Sequence, residues 1–296
     1  MKLTWKPNLS TSALHAARAM AMSLPVVDNR LDASYRELSV ELHDFSLRLP
    51  VLARKNFWGE LLSWSAELDS NRELAERVLI RLLGAQNIKA TQLNFLASKI
   101  TDMEAAFGVI YPKLLEQLEL RSRPLKEFWE GYGSGLLAHV GRLTDKSLLV
   151  PQAEVVLLQP VLGGYGSAHL GPNRVCVEAI LTNVIPELPE VVRLAWLLVQ
   201  LQLDTPIYSE GVHGGRLPEV AALAMLPPIL AAGQIVELTK IDEPTLSLAI
   251  EQWQVPVPRE DQDVVSKLLS WWETYLQTKP QWSVAFMALD RILQSA

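Results

Sequence analysis

The chain has 296 residues, 49% of them apolar and 20% charged, with a formal net charge of −6. That composition builds a large core and excludes intrinsic disorder, and the acidic balance argues against nucleic acid or anionic membrane as a partner. A single cysteine, Cys176, excludes an intramolecular disulfide framework and any multi-cysteine zinc site.

Taken in order, residues 10–23 read as a short helix capped by Ser10 or Thr11 and stopped by Pro25. Residues 32–49 carry Leu38, Leu42, Phe45 and Leu49 at helical steps, and Pro50 ends the run. Helices are also predicted over 57–68, 71–83, 88–107 and 112–120, with Gly84 as a C-cap glycine. Residues 1–122 are thus expected to form an N-terminal helical region. The chain's nearest approaches to basic patches, Arg48/Arg54/Lys55 and Arg121/Arg123/Lys126, are small and scattered.

The pattern changes in residues 123–296. Residues 124–143 read as a helix loosened by Gly131, Gly133 and Gly135. Residues 153–159 form an apolar strand, 163–169 a glycine-rich edge segment, and 174–180 a second strand in which Cys176 is a packing residue. A helix over 189–203, interrupted only by Arg193, Gln200 and Gln202 after Glu190, is apolar all round and must be buried. A second apolar helix from Leu217 is bent or broken by Pro227-Pro228. Helices over 243–253, 261–276 and 282–293 close the chain. In the last group Trp271 and Trp272 point about 100° apart, so one of them is expected to meet a separate segment or a partner. The fold class is mainly α with a small β-sheet between 153 and 180. No signal-peptide core forms around His15 and Arg18, and a cytoplasmic protein with no membrane partner is expected.

Motif counting removes several chemistries. Gly164 and Gly166 begin a dinucleotide fingerprint, but His169 occupies its last position. Neither Ser134 nor Ser167 has the flanking glycines of a nucleophile elbow. The order strand, edge segment, strand and buried helix over 153–203 resembles the core of zincin-like metallopeptidases. In that family the helix carries His-Glu-x-x-His, whose imidazoles bind zinc while the Glu activates water. The matching residues here are Pro189-Glu190-Val191-Val192-Arg193. The resemblance therefore implies a zincin-like unit without metal ligands, catalytic residues or cofactor.

Arg193 is the one cation in this helix, and we read it as a substitute for the metal's charge, paired with Glu219 or Glu210, or more locally with Glu190. His169 and His213 flank the helix and are the histidines placed to meet across it, with Glu178 or Glu210. The candidate binding residues are therefore Glu190, Arg193, Glu210, Glu219, His169 and His213. The preferred reading is a non-catalytic binding or scaffolding protein that takes another protein or a peptide beside the 163–169 edge. The alternatives are a metal-dependent hydrolase using His169 and His213, and a purely structural helical protein.

Overall fold

The structure is a computed structural model that describes residues 1–258 and 263–294. It is mainly helical with one small sheet, as the periodicity predicts. The chain opens on a strand, β1 (Lys2–Pro7), ahead of the first element that the sequence pattern predicts. Helices α1 (Leu9–Ala21), α2 (Ala33–Leu47), α3 (Val51–Ser65), α4 (Asn71–Leu83) and α5 (Ala90–Ile110) follow. The cap of α1 is Asn8, not Ser10 or Thr11: its Oδ1 accepts from the Thr11 amide at 2.7 Å. Asp32 caps α2 in the same way, and Gly84 ends α4 at φ +81°. The predicted helix over 57–68 begins earlier, directly after Pro50, which starts α3 as well as ending the run before it.

Next come α6 (Leu114–Arg121), α7 (Arg123–Phe128) and α8 (Ser134–Leu143), the last two joined by a five-residue π-helical turn at Trp129–Gly133. The glycine run thus widens a continuous helix instead of breaking it. A Cβ on Gly133 would lie 2.5 Å from the Trp129 ring, so only glycine lets that indole lie across the turn.

The sheet is completed by β2 (Gln152–Leu158), β3 (Gly166–His169) and β4 (Arg174–Glu178), in the order β1-β2-β4-β3. The first three in that order are parallel, and β3 lies antiparallel to β4 at the edge. Because side chains alternate, the two faces of β4 do different things. Val175 and Val177 join the main core, against which helix α9 (Glu190–Leu198) packs. Arg174, Cys176 and Glu178 point the other way. Arg174 donates to Glu154 and to the Ser63 carbonyl of α3, and Glu178 meets His15 of α1. The sheet is therefore covered by α9 on one side and by the N-terminal helices on the other.

Helix α9 is shorter than its apolar run suggests, and 199–204 continues as turns in which Val199, Gln200, Leu201 and Leu203 are buried. After α10 (Pro206–Ser209), the second apolar stretch breaks at Met225 into α11 (Leu217–Ala224) and α12 (Leu226–Ile235), with Pro227-Pro228 in the first turn of α12. By length and composition residues Leu217–Ile235 are able to span a bilayer, but 72% of that window is buried within the protein. The stretch is a core element.

Three helices end the chain: α13 (Glu243–Gln252), α14 (Val264–Thr278) and α15 (Trp282–Gln294). The predicted start of α14 at Asp261 falls outside the described residues. Trp271 and Trp272 are both buried, because α14 is covered by α15 and by α12 and α13. Trp271 stacks edge-on to Trp282 and donates to the Ala285 carbonyl, while Trp272 stacks on Tyr275. The indoles pack within the C-terminal helices, and no partner is needed to cover either one.

Candidate functional site

The chemistry concentrates where β4 hands over to α9. Glu178 ends β4 and is buried. Its Oε1 accepts from the Val161 and Leu162 amides, each at 2.8 Å, and its Oε2 accepts from the Gly164 amide at 2.7 Å. His15 Nε2 lies 2.8 Å from the same Oε1, and the His15 ring stacks on Tyr165, whose hydroxyl accepts from Arg18. One carboxyl group thus organises the whole 161–164 loop, and α1 supplies its counterpart from 163 residues away.

Helix α9 starts beneath that loop. Its first amide, of Glu190, is capped at 3.0 Å by Asn183 Oδ1 from the connecting segment. Glu190 and Arg193 pair at 3.1 Å across one turn, with their side chains 10% and 4% exposed. Gly164 has φ +136°, and a Cβ there would come within 3.1 Å of two Arg193 nitrogens. The guanidinium is thus pressed against the loop that Glu178 holds. Its Nε and Nη1 find no hydrogen-bond partner. Burial sets the electrostatics of the pair: it raises the Glu190 carboxyl against the pull of Arg193 and lowers Arg193 against Glu190 and Glu178.

Of the six candidate residues, only Glu190 and Arg193 meet. Glu219 faces Arg216 at 4.0 Å, and Arg216 turns to Asp290 of α15 at 3.1 Å. Glu210 is exposed at the end of α10. His213 is exposed and its Nδ1 accepts from the Gly215 amide. His169 is buried on β3, with Nε2 3.2 Å from Ser167 Oγ. Arg193 therefore takes the local partner, and its second carboxylate is Glu178, which the sequence reading considered only beside the histidines.

These residues do not fit a zinc ion. Pro189 and the guanidinium of Arg193 flank Glu190 and Val192, and neither offers a lone pair to a metal. Among the described residues, no group of three or more His, Cys, Asp and Glu is arranged to hold a metal ion. Cys176 is equally inert as a ligand, since burial pushes its thiol up to about 12.

Burial and then the charges of Arg174 and Arg18 bring the His169 imidazole down from 6.5 to about 4. The unfolded chain thus binds more protons than the folded one between those values, and stability falls as pH drops through that window. The loss amounts to about 3 kcal/mol. Urea denaturation from pH 7 to pH 4 is expected to show this slope in the wild type and a shallower one in His169→Gln. Equal slopes would mean that His169 is not the group responsible.

Two cavities flank the segment after β4. One, of about 250 Å³, lies beside Glu190 and is walled by Leu125 and Phe128 of α7, Leu181 and Asn183 of the segment, and Val191. Phe128 and Leu181 are exposed at its rim. The other, of about 340 Å³, is polar and includes Asp28, Arg30, Arg121, Gln159 and Gly163. Both share residues 180–182 as a wall. Of the 163–169 edge segment only Gly163 lines either cavity, so the concavity lies at the C-terminal end of β4 and not along β3.

The sequence reading missed His15, Gln159 and Arg121. The only available signal was a polar residue inside an apolar segment, as with His15 in α1 and Gln159 after β2. Compared with known proteins, the chain matches no family model, no curated protein and no solved structure.

Proposed function

We propose that the protein is a cytoplasmic, non-catalytic binding protein resembling an inactivated zincin-like metallopeptidase. In this reading the cleft beside Glu190 receives an apolar side chain of a peptide or protein partner. The observation that carries it is the cleft itself: an apolar concavity at the N-terminus of α9, rimmed by exposed Phe128 and Leu181. Exposed aromatic and aliphatic groups around a pocket are what a partner's anchor side chain needs. The Glu190–Arg193 pair supports the non-catalytic part. In this reading the guanidinium stands where the zincin resemblance would require a metal ligand, and it has no lone pair to give.

Selection from a random-peptide display library tests the reading. Binders with a bulky apolar residue are expected, and Leu181→Asp and Phe128→Ser should each weaken them by about tenfold or more without lowering the melting temperature. Binders indifferent to both substitutions would overturn the choice of cleft. About one zinc per chain in protein purified without chelators or a histidine tag, by elemental mass spectrometry, would overturn the non-catalytic reading.

A further inference from the structure

The polar cavity assigns a chemistry to the ligand of its apolar neighbour. Arg30 is neutralised locally: its Nε and Nη2 donate to the two oxygens of Asp28 at 2.9 and 2.6 Å, and its guanidinium lies 4.4 Å from the Tyr111 ring centroid. Desolvation works against Asp28, but its hydrogen bonds to Arg30 prevail and hold the carboxyl down at about 2. Arg121, on the other wall, has no hydrogen-bond or ion-pair partner for its side chain among the described residues. Two guanidiniums and one carboxylate leave a single positive charge in this cavity, on a chain whose net charge is −6. A site with one uncompensated cation complements a monoanion and not a dianion.

Gln159 adds a second observation. It is 1% exposed, and its Nε2 donates to Asp28 Oδ2 at 3.1 Å, which fixes the orientation of the amide because a carboxylate only accepts. Its Oε1 is left buried without a donor. An unsatisfied acceptor in the cavity wall calls for a donor, which the backbone N–H of a bound peptide's last residue supplies and its carboxylate does not.

Size identifies the other half of the ligand. At about 250 Å³ the apolar cleft falls below the roughly 300–1,000 Å³ of pockets that enclose drug-sized molecules. It suits one large side chain rather than a long acyl chain. The two cavities meet at residues 180–182, so a ligand crossing that wall presents an apolar group on one side and a negative group on the other.

We propose that the two cavities form one bipartite site for a peptide C-terminus, the last apolar side chain in the cleft beside Glu190 and the terminal carboxylate at Arg121. This inference rests on the reading of the cleft as a peptide site and specifies its substrate class. Such capture joins a charge-assisted hydrogen bond to burial of an apolar anchor.

The test uses fluorescein-labelled hexapeptides ending in Leu, Phe, Ala or Asp, each as free acid and as C-terminal amide, titrated with the full-length protein by fluorescence anisotropy. The acids ending in Leu or Phe are expected to bind. Amidation should weaken them about tenfold, and Arg121→Gln should bring acid and amide to the same affinity. Decanoate, a carboxylate on an acyl chain, should fail to displace them. If acid and amide bind equally and Leu181→Asp abolishes both, the carboxylate inference is overturned while the cleft reading stands. Displacement by decanoate at the peptide's own affinity also overturns the inference, because the site then takes a fatty acid. If no hexapeptide binds, the inference falls, and the display selection decides the cleft reading separately.

Discussion

Replacing Glu178 with alanine is expected to lower folding stability by about 3–5 kcal/mol, the range for removing one partner of a buried charged group. The substitution leaves the Val161, Leu162 and Gly164 amides without their acceptor and orphans His15 Nε2. The Val161, Gly164 and His15 groups are buried, and each unsatisfied buried donor costs about 1–3 kcal/mol. Glu178→Gln is the sharper variant. It keeps shape and volume but turns one acceptor into an NH2 group, which must then face a backbone N–H whichever way the amide lies. We expect it to recover less than half of the loss. Urea denaturation of the three proteins at pH 7 provides the comparison. A change below about 1 kcal/mol for alanine would show that solvent replaces the carboxylate and that the 161–164 loop is not held by it.

The second large effect concerns the buried pair in α9. Arg193→Met should destabilise by about 3–5 kcal/mol, because Glu190 remains buried with its only cation removed. The double variant Glu190→Leu/Arg193→Met should recover most of that loss, since an apolar pair of similar volume needs no mutual compensation. The same cycle separates stability from binding: the double variant is expected to fold well and to keep the cleft's apolar wall. The pH dependence has a defined sign. Burial holds the Glu190 carboxyl above its unfolded value of 4.5, so its contribution to stability is largest below that value and is lost as pH rises through the higher folded value. Arg193→Met removes the opposing charge and should move this loss to higher pH. A pH profile of the single variant that parallels that of the double variant, which lacks Glu190, between pH 4 and pH 8 would refute the assignment. A double variant no more stable than Arg193→Met would instead show that the guanidinium's packing against Gly164 matters more than its charge.

These two carboxylates differ in how far they were legible beforehand. Glu190 and Arg193 stand three residues apart on a helix whose apolar periodicity is plain, so their pairing follows from helical geometry. Glu178 reads as a polar residue in an alternating strand, with His169 and His213 as its suggested companions. Nothing local marks His15 as its partner, or the 161–164 amides as its donors. Both come from segments that reach β4 only after the sheet assembles. Arg121 is hidden for the same reason, as a member of a small basic group that composition treats as scattered surface charge, and nothing in the pattern around Arg30 singles it out. The contrary cases are equally instructive. Glu219 and Glu210 were sequence candidates for Arg193, yet α11 turns Glu219 toward Arg216, and Glu210 stays in solvent.

Local pattern determined the helices of this protein, the three strands between residues 152 and 178, and the burial of α9, because hydrophobic periodicity and capping act over a few residues. It also determined that residues 189 and 193 are proline and arginine and not histidine, which is a matter of residue identity alone. Tertiary structure decided the rest. It drew Lys2–Pro7 into the sheet beside β2, buried both Trp271 and Trp272, and set two cavities on either side of residues 180–182. Each of these depends on contacts between segments far apart in the chain, and the free energy of such contacts resides in packing that no single segment contains.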